Sequence, residues 1–375
     1  MMMFELPKDL VEEILSRLPA TTLKQLQSTC KQWNDIINDR EFAGKHFSKA
    51  AKQHLVVMLK NFNVHLVSVN VDGIHNDIDP SIKDIGELSL NKPYQVYING
   101  MVHCNGLLLC ITKGYTPMVW NPCTGKINWV VEPSRAYDVY DKFAFGYEYK
   151  KSCYNFKILR IQYVCGRKTH TYTTHGKEIY DFNSSSWRTL NVTRIWPLIS
   201  RVVSLKGNAY WFTYEYKEGV RNSSLLSFDF SKEIFGNICV PFQFNGDYLV
   251  ELSVIRENKL AVLLQRWALE IEIWVTDNIE PNGNGVSWNH FLAVDLGVTI
   301  PPMSDVFSYA MSFFIDEDNK VGLIWDNNKG VRVHIVGEDY YREIVVGEEG
   351  ICLPLMCCYI CSKLVADIGK INYLF

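Results

Sequence analysis

The sequence has no long run of basic residues and no long apolar run. Lys and Arg together number 38 against 41 Asp and Glu, so the formal charge is −3 at pH 7. Because nucleic-acid-binding surfaces normally depend on clustered Lys and Arg, this balance predicts no DNA or RNA partner. The longest apolar stretch, residues 351–361, contains Pro354 and is shorter than the roughly 18 residues that a membrane-spanning helix needs. We therefore expect no membrane segment.

The first residues of the sequence also lack the pattern of a secretory leader. The chain starts with Met1–Glu5 and continues into a proline, without a basic segment followed by an apolar one. The 11 cysteines are an odd number, which argues against a complete disulfide framework. In a reducing compartment, Cys acts mainly as a small buried apolar residue. We expect a cytoplasmic protein, a nuclear protein, or both.

Motifs for catalysis and metal binding are also scarce. The sequence contains no P-loop, no G-x-S-x-G and no H-E-x-x-H. Cys358-x-x-Cys361 has the spacing of zinc ligands, but no second such pair accompanies it. His103 beside Cys104 precedes an apolar strand, where a packed histidine is the simpler interpretation. The glycines of residues 282–285 lead into a strand-like segment rather than a phosphate-binding helix. We expect no cofactor, no metal and no catalysis by this chain.

Large apolar side chains recur at helical intervals from Leu6 to about Phe47. Pro19 ends a first helical segment, and Thr22-x-x-Gln25 has the spacing of a capping box at the start of a second. About 40 residues cannot bury this much apolar surface by themselves. The residues alone leave two possibilities open for the remaining apolar surface. A partner protein covers it, or the segment docks onto the rest of the same chain. The apolar positions are Leu10, Ile14, Leu15, Leu18, Leu23, Leu26, Cys30, Trp33, Ile36 and Ile37.

The order and spacing of these residues resemble an F-box. The resemblance implies that the segment binds a Skp-type adaptor, which links it to a cullin and to a RING subunit that recruits the ubiquitin-charged enzyme. For Trp33 and Ile36 a second role is open, in which they form the hydrophobic core of the segment itself instead of contacting the adaptor. The matching motifs are Leu6-Pro7-x-Asp9-Leu10, Ile14-Leu15-x-x-Leu18-Pro19, Leu23-x-x-Leu26, Cys30-Lys31-x-Trp33 and Ile36-Ile37. The adaptor-binding residues that it implies are Leu6, Pro7, Leu10, Ile14, Leu15, Pro19, Leu26 and Trp33.

The rest of the chain predicts an all-β domain. Short runs of β-branched and aromatic residues alternate with turn residues, as in residues 106–111 and 260–265, and long helical periodicity is missing. Asp, Asn, Gly and Pro are concentrated in residues 72–84, which predicts a loop.

A unit in which an aromatic residue precedes a polar turn recurs through this domain. Successive units begin 60, 48, 46 and 51 residues apart. These intervals are close to the roughly 40 to 50 residues of a four-stranded propeller blade, and about six blades would fit. The units begin at Trp120, Tyr180, Phe228, Trp274 and Trp325.

The same region resembles the plant F-box-associated domain of the type 1, kelch-like class. The predicted division of the chain is an F-box at 1–47, a connecting segment with the first strands at 48–90, and the F-box-associated domain at 91–375. The fold class is therefore α+β and multidomain, with a small helical F-box followed by an all-β, propeller-like domain. The motifs that carry the resemblance include Gly106-Leu107-Leu108, Trp120-Asn121-Pro122, Phe145-Gly146-Tyr147, Tyr180-Asp181-Phe182, Phe228-Asp229-Phe230 and Ile273-Trp274-Val275.

Together the two resemblances imply a substrate-recognition subunit of a Skp/cullin/F-box ubiquitin ligase. In this role the chain is a non-catalytic adaptor, and tethering a target raises its effective concentration near activated ubiquitin. The sequence identifies no target-binding residues, although loops on one face of a propeller are the expected location. Two alternatives stay open, an F-box protein outside an active ligase and a propeller that binds or hydrolyses a small ligand or glycan.

Overall fold

A computed structural model of the chain describes most of the β-rich region and part of the N-terminal segment. Among these residues, no helix is long and apolar enough to cross a membrane. The described residues are 7–16, 18, 23, 26, 29–37, 39, 42, 54–76, 78–88, 90, 96–122, 124–133, 135–150, 153–165, 172–191, 197–217, 220–242, 248–256, 258–266, 270–279, 286–296, 312–326, 331–347 and 352–357.

Two α-helices are described over their full length in the N-terminal segment, α1 at Lys8–Ser16 and α2 at Lys31–Ile37. The carbonyl of Pro7 accepts the amide protons of Leu10 and Val11, which starts α1 directly after the proline. The apolar faces of the helices meet in a small cluster that we call the module core. Its buried members are Val11, Leu15, Leu23, Ile36, Ile37 and Phe42, and Leu18, Leu26 and Trp33 pack against them.

The described part of the β-rich region contains 24 strands. The first twelve are β1 (His54–Lys60), β2 (Asn63–Asn70), β3 (Ser81–Glu87), β4 (Ile98–Cys104), β5 (Leu107–Thr112), β6 (Pro117–Trp120), β7 (Ile127–Trp129), β8 (Lys142–Lys150), β9 (Cys153–Cys165), β10 (Tyr172–Asp181), β11 (Ser186–Thr189) and β12 (Val203–Leu205). The others are β13 (Asn208–Lys217), β14 (Val220–Asp229), β15 (Ile234–Cys239), β16 (Tyr248–Ile255), β17 (Lys259–Arg266), β18 (Glu270–Thr276), β19 (Trp288–Asp295), β20 (Ser312–Asp316), β21 (Val321–Asp326), β22 (Val331–Val336), β23 (Tyr341–Gly347) and β24 (Cys352–Cys357).

The strands form six antiparallel four-stranded sheets, which are the blades of a β-propeller. Blade 1 consists, from its innermost strand outward, of β24, β1, β2 and β3. Blades 2 to 6 are β4–β7, β8–β11, β12–β15, β16–β19 and β20–β23, each beginning with its innermost strand. Innermost strands of successive blades are neighbours around the whole ring, including β24 beside β4. The predicted propeller of about six blades is confirmed.

Blade 1 closes the ring because it combines strands from both ends of the β-rich region. Strand β24 pairs antiparallel with β1, with Cys352 opposite Lys60 and Pro354 opposite Met58. This pairing gives blade 1 its innermost strand. It also removes the open sheet edge that β1 would otherwise present to the centre of the ring.

The hydrophobic core is divided into six clusters, one between each pair of successive blades. Neighbouring residues of a strand point to opposite faces, and both faces of a blade are covered. In β5, Leu107 and Leu109 pack towards blade 3, whereas Leu108 and Cys110 pack towards blade 1. The unbroken apolar runs of the second strands, such as residues 260–264 in β17, follow from this burial on two sides.

Blades 3 and 4 approach each other closely enough to require glycine. The amide of Tyr147 donates to the carbonyl of Gly207 at 3.1 Å. A Cβ on Gly146 would lie 2.3 Å from that same carbonyl oxygen and 2.2 Å from the ring of Phe230. The Phe145-Gly146-Tyr147 motif is therefore explained by packing between blades.

Most of the recurring aromatic units occupy one place in the blades. Trp120, Tyr180, Phe228 and Trp274 lie at or near the ends of β6, β10, β14 and β18, the third strand of each blade. Trp325 lies instead near the end of β21, the second strand of blade 6. The fifth unit is thus not equivalent to the other four, because an aromatic residue before a turn suits the end of any buried strand.

The propeller begins earlier than the sequence division placed it. Segment 48–90, set apart as a connecting segment with the first strands, contributes β1, β2 and β3 to blade 1, so the domain starts at His54 and not at residue 91. The loop predicted at 72–84 contains a short 3-10 helix, Ile74–Asn76, and its last residues belong to β3. Because β3 is the outermost strand and largely faces solvent, it lacks the apolar alternation that identifies a strand.

Candidate functional site

The first candidate site is an apolar surface on α1. Leu10 and Ile14 are each 50% exposed, and they lie one helical turn apart on the same side of the helix. Pro7, just before the helix, is exposed as well. We call these three residues the α1 face. Covering it would remove apolar area from water, which is the main favourable contribution in protein association.

The other predicted adaptor-binding residues are placed differently. Leu15 is only 2% exposed and belongs to the module core, because it is rotated away from Ile14 towards the side of Val11. Leu26 and Trp33 are partly buried against that core. Leu6 and Pro19 lie outside the described residues.

The second candidate site is a cavity of about 480 Å³ in the propeller. Four blades line it, mainly with their innermost strands and with the segments that lead into those strands. The cavity therefore lies on the inner side of the ring, at the face where these strands begin. We call it the inner-strand cavity. The polar residues that line it are Asn99 and Tyr115 from blade 2, Asp138, Asp141 and Lys142 from blade 3, Ser200 and Arg201 from blade 4, and Glu251 from blade 5.

The ionisable groups of the cavity are perturbed by their burial. Glu251, on β16, is 9% exposed, and burial raises its pKa to about 7, against the opposing effect of the positive charge of Arg201. The pKa of Lys142 is lowered, first by burial and then by the nearby charge of Arg201. The two cations thus repel each other inside the protein, and Glu251 changes its charge near neutral pH.

A buried arginine fixes one wall of the cavity. The Nε and Nη2 atoms of Arg160 donate to one carboxylate oxygen of Asp141 at 2.9 and 2.6 Å, and Nη1 donates to Glu178 at 3.1 Å. The same guanidinium donates to the carbonyls of Arg135 and Ala136 at 2.9 and 2.8 Å. Arg160 is fully buried, so these bonds hold residues 135–141 against blade 3.

A buried His–Asp pair elsewhere offers no reactive site. In blade 6, His334 Nε2 lies 3.3 Å from a carboxylate oxygen of Asp326, and Nδ1 lies 3.0 Å from the hydroxyl of Tyr341. The side chains of His334 and Asp326 are both 0% exposed. Since no ligand reaches them, we assign the group to cross-strand stabilisation.

The remaining sequence candidates are structural or lie outside the described residues. His103 Nε2 accepts the amide proton of Gly106 in the turn between β4 and β5, so its role there is local. Within the described ranges, no group of three or more His, Cys, Asp or Glu side chains is placed to hold a metal. Cys358, Cys361 and the Gly-rich residues 282–285 fall outside those ranges.

Comparison with known families decides what this architecture represents. A family model described as the F-box domain matches residues 3–43, and one described as the F-box associated beta propeller domain matches residues 55–365. The F-box protein At3g17480 of Arabidopsis thaliana is 42% identical over 376 residues, covering 95% of this chain and 96% of that one. The chain belongs to the F-box proteins with an F-box associated β-propeller domain.

Two further relatives of this F-box protein carry the word kelch in their names. The F-box/kelch-repeat proteins At3g17530 and At3g16740, both of Arabidopsis thaliana, are 39% and 38% identical, and each alignment covers 96% of this chain and at least 95% of the relative. The F-box and F-box-associated resemblances are confirmed, whereas the likeness to kelch repeats is supported only by these names. The propeller match from residue 55 agrees with the start of β1 at His54.

Sequence reasoning missed the inner-strand cavity of this F-box protein. Lys142, Arg201 and Glu251 come from three different blades and are separated by 50 residues or more, so they form no local motif. The only nearby signal is that Lys142 precedes the Phe-Gly-Tyr motif by a few residues. Closure of the ring is what brings the three together.

Proposed function

We propose that this F-box protein is the substrate-recognition subunit of a ubiquitin ligase of the Skp/cullin/F-box type. The observation that carries the proposal is the exposed apolar α1 face in a segment that matches the F-box domain, in the same chain as a propeller with an open cavity. The α1 face binds a Skp-type adaptor, and the propeller binds a target protein. The location that goes with this proposed role is the cytoplasm, the nucleus, or both.

The mechanism is one of proximity. The adaptor connects the chain to a cullin and a RING subunit, and these recruit the enzyme charged with ubiquitin. Holding the target on the same assembly raises its effective concentration near the activated ubiquitin, so the chain itself carries out no bond-forming step. Val139 and Tyr140, 52% and 37% exposed beside the cavity, offer apolar and aromatic contact for a target at this face.

Among the described residues, the inner-strand cavity does not offer the pair of free carboxyl groups that a hydrolytic propeller would need. Glycoside hydrolysis typically uses two carboxyl groups on opposite sides of the substrate. Of the carboxylates that line the cavity, Asp141 is paired with Arg160, and Asp138 accepts the amide proton of Tyr140. Glu251 is left as a single carboxyl group, so a binding role is better supported than catalysis.

Co-purification with a Skp-type adaptor tests the proposal. The double variant Leu10→Ala/Ile14→Ala truncates the two helical side chains of the α1 face without changing a residue of the module core. We expect adaptor affinity to fall by about tenfold or more, since each lost side chain would otherwise bury apolar area worth on the order of 1 kcal/mol.

Lys8→Ala is the matched control, because the Lys8 side chain lies on the same helix and is 69% exposed. It should bind the adaptor as the wild type does. Capture of the double variant at wild-type affinity would contradict the assignment of the α1 face. A loss of binding in Lys8→Ala as large as that in the double variant would do the same.

A further inference from the structure

In the part of the chain that the structure describes, three charged side chains of the inner-strand cavity form no hydrogen bond and no ion pair. Among the described residues, no carboxylate lies within ion-pair distance of Lys142 or Arg201, and no hydrogen-bond donor reaches the carboxyl group of Glu251. Asp141 is occupied by Arg160, and Asp138 is tied to the backbone of its own loop. Two cations and one nearly buried acid are thus free to contact a ligand.

These side chains are held on fixed segments of the fold. Lys142 is the first residue of β8 and follows Asp141, which Arg160 anchors. The segment that carries Arg201 is bound to β13, where the amide of Ile199 donates to the carbonyl of Phe212 at 3.0 Å. Because these backbone segments are already fixed, a ligand can bind without ordering the backbone at the site.

We propose that the inner-strand cavity binds an anionic group, a carboxylate or a phosphate, through Arg201 and Lys142, while Glu251 forms a hydrogen bond with a polar group next to that anion. A guanidinium and an ammonium present donors that match carboxylate and phosphate oxygens. Two like charges that form no ion pair in a partly enclosed cavity are unfavourable, and a bound anion removes that cost. The cavity has the volume of sites that hold small ligands or a few residues of a peptide.

The inference deepens the proposed function by naming the chemistry with which the propeller holds its ligand. The inference rests on the proposed function only where it takes the bound anion to belong to a target of the ligase. The binding assay below contains no adaptor, so its failure and the failure of adaptor capture are separate results.

Binding should depend on pH through Glu251. The charged groups that face the cavity are Lys142, Arg201, Asp138, Asp141 and Glu251. With a pKa of about 7, Glu251 is mostly ionised in mildly alkaline solution and mostly neutral in mildly acidic solution. Its negative charge repels an anion and competes for Arg201, so anion affinity should increase as the pH falls from about 8 to about 6.

Titration calorimetry of the full-length chain tests the proposal with two kinds of probe. Inorganic phosphate and succinate represent free anions. Blocked peptides whose only charge is one Asp or one phosphoserine represent an acidic segment of a target, with the Asn and Ser peptides as neutral references. Binding of the free anions alone identifies a small organic or inorganic anion as the ligand. Binding of the charged peptides identifies an acidic target segment, and either result supports the site.

The variants connect binding to the named residues. Arg201→Gln should weaken binding of the anionic probe by about tenfold or more, and Lys142→Gln should weaken it in the same direction. Lys83→Gln, an exposed change of equal charge on the outermost strand of blade 1, should bind as the wild type does. Glu251→Gln should bind at about pH 8 as tightly as the wild type binds at about pH 6.

Thermal melting of each variant checks that it is folded. If Arg201→Gln does not fold, the binding measurement on Lys142→Gln tests the proposal instead. The proposal is overturned if no anionic probe binds at millimolar concentration. It is also overturned if the folded cavity variants bind the probes as tightly as Lys83→Gln.

Discussion

At the scale of single residues, the contact between blades 3 and 4 leaves no room for a side chain on Gly146. The nearest atoms to a Cβ there belong to the ring of Phe230 and to the backbone of Gly207, and the backbone cannot move aside. The glycine is required by close approach, which is a property of two blades together. A sequence motif marks the position, but only the structure supplies the reason.

Gly146→Ala should therefore destabilise the propeller. Overpacking a well-packed contact costs about 1–3 kcal/mol, and the distances here place this change at the upper end of that range or beyond it. Gly100→Ala is the control, since a Cβ there meets nothing within 4 Å. Denaturant unfolding of both variants measures the difference. Equal unfolding free energies for Gly146→Ala and the wild type would show that the blades are not packed in this way.

The sequence did not predict which apolar residues of the N-terminal segment are buried. Helical spacing grouped Leu10, Ile14 and Leu15 together, and it did not separate Leu15 in the core from Leu10 and Ile14 on the surface. Whether a residue of α1 is buried depends on which side of the helix the other helical residues cover. Here the Leu15 side is covered, by Leu23, Ile36 and Phe42.

At the scale of elements, an ionic group ties blade 3 to blade 4. Lys157 on β9 donates to Glu148 at 3.2 Å and, across the blade boundary, to Glu233 at 2.8 Å and to the carbonyl of Phe230 at 3.2 Å. Burial alone would raise the pKa of Glu233, but hydrogen bonds from Arg188 and Lys157 outweigh it and hold the pKa below its ordinary value of 4.5. The pKa of Glu148 is also lowered, where bonds from Lys150 and Lys157 outweigh burial.

The lowered pKa values predict a loss of stability in acid. A carboxyl group whose pKa is lower in the folded state stabilises the protein above its unfolded pKa, and this contribution disappears as the pH falls through the folded pKa. The difference in unfolding free energy between the wild type and Glu233→Gln should be largest near about pH 7 and should shrink below about pH 4.5. Glu87→Gln, an exposed change on β3, should show no such trend. A difference for Glu233→Gln that is constant with pH would contradict the linkage.

The C-terminal strand is the element on which ring closure depends. Without β24, blade 1 loses its innermost strand, and β1 is left with an unpaired edge facing the centre. A chain that stops after Gly347 should unfold at lower denaturant concentration and self-associate on gel filtration. A chain that stops after Val365, where the propeller family match ends, is the control and should behave as the full chain does. Equal stability of the two truncated chains would mean that β24 does not close the ring.

The elements that the sequence predicted are those buried on both faces or marked by helical spacing. The second strands of the blades are unbroken apolar runs, and β5 and β17 were found for that reason. The sequence predicts a loop over the first residues of β3, because an outer strand that faces solvent carries polar residues and glycine. Strand β24 was not recognised as part of blade 1, since its partner β1 lies almost 300 residues earlier in the sequence.

At the scale of the whole molecule, the period of the repeat and the family resemblances predicted the architecture. A propeller is built from similar blades that contact only their neighbours, so regular intervals in the sequence carry most of its fold. The inner-strand cavity could not be predicted in this way. Its charged residues come from blades 3, 4 and 5, and their meeting depends on the closed ring.

The central claim is that the chain presents captured proteins to an active ligase. The most direct measurement is ubiquitin transfer in a reconstituted reaction that contains the chain, a Skp-type adaptor, a cullin, a RING subunit and the ubiquitin-charging enzymes, with plant proteins first captured on the chain. The account predicts that wild-type chain yields ubiquitin conjugates of the captured proteins. It also predicts that Leu10→Ala/Ile14→Ala retains the same captured proteins without conjugates. Equal conjugation by both chains, or none by a wild-type chain in a fully assembled complex, would contradict it.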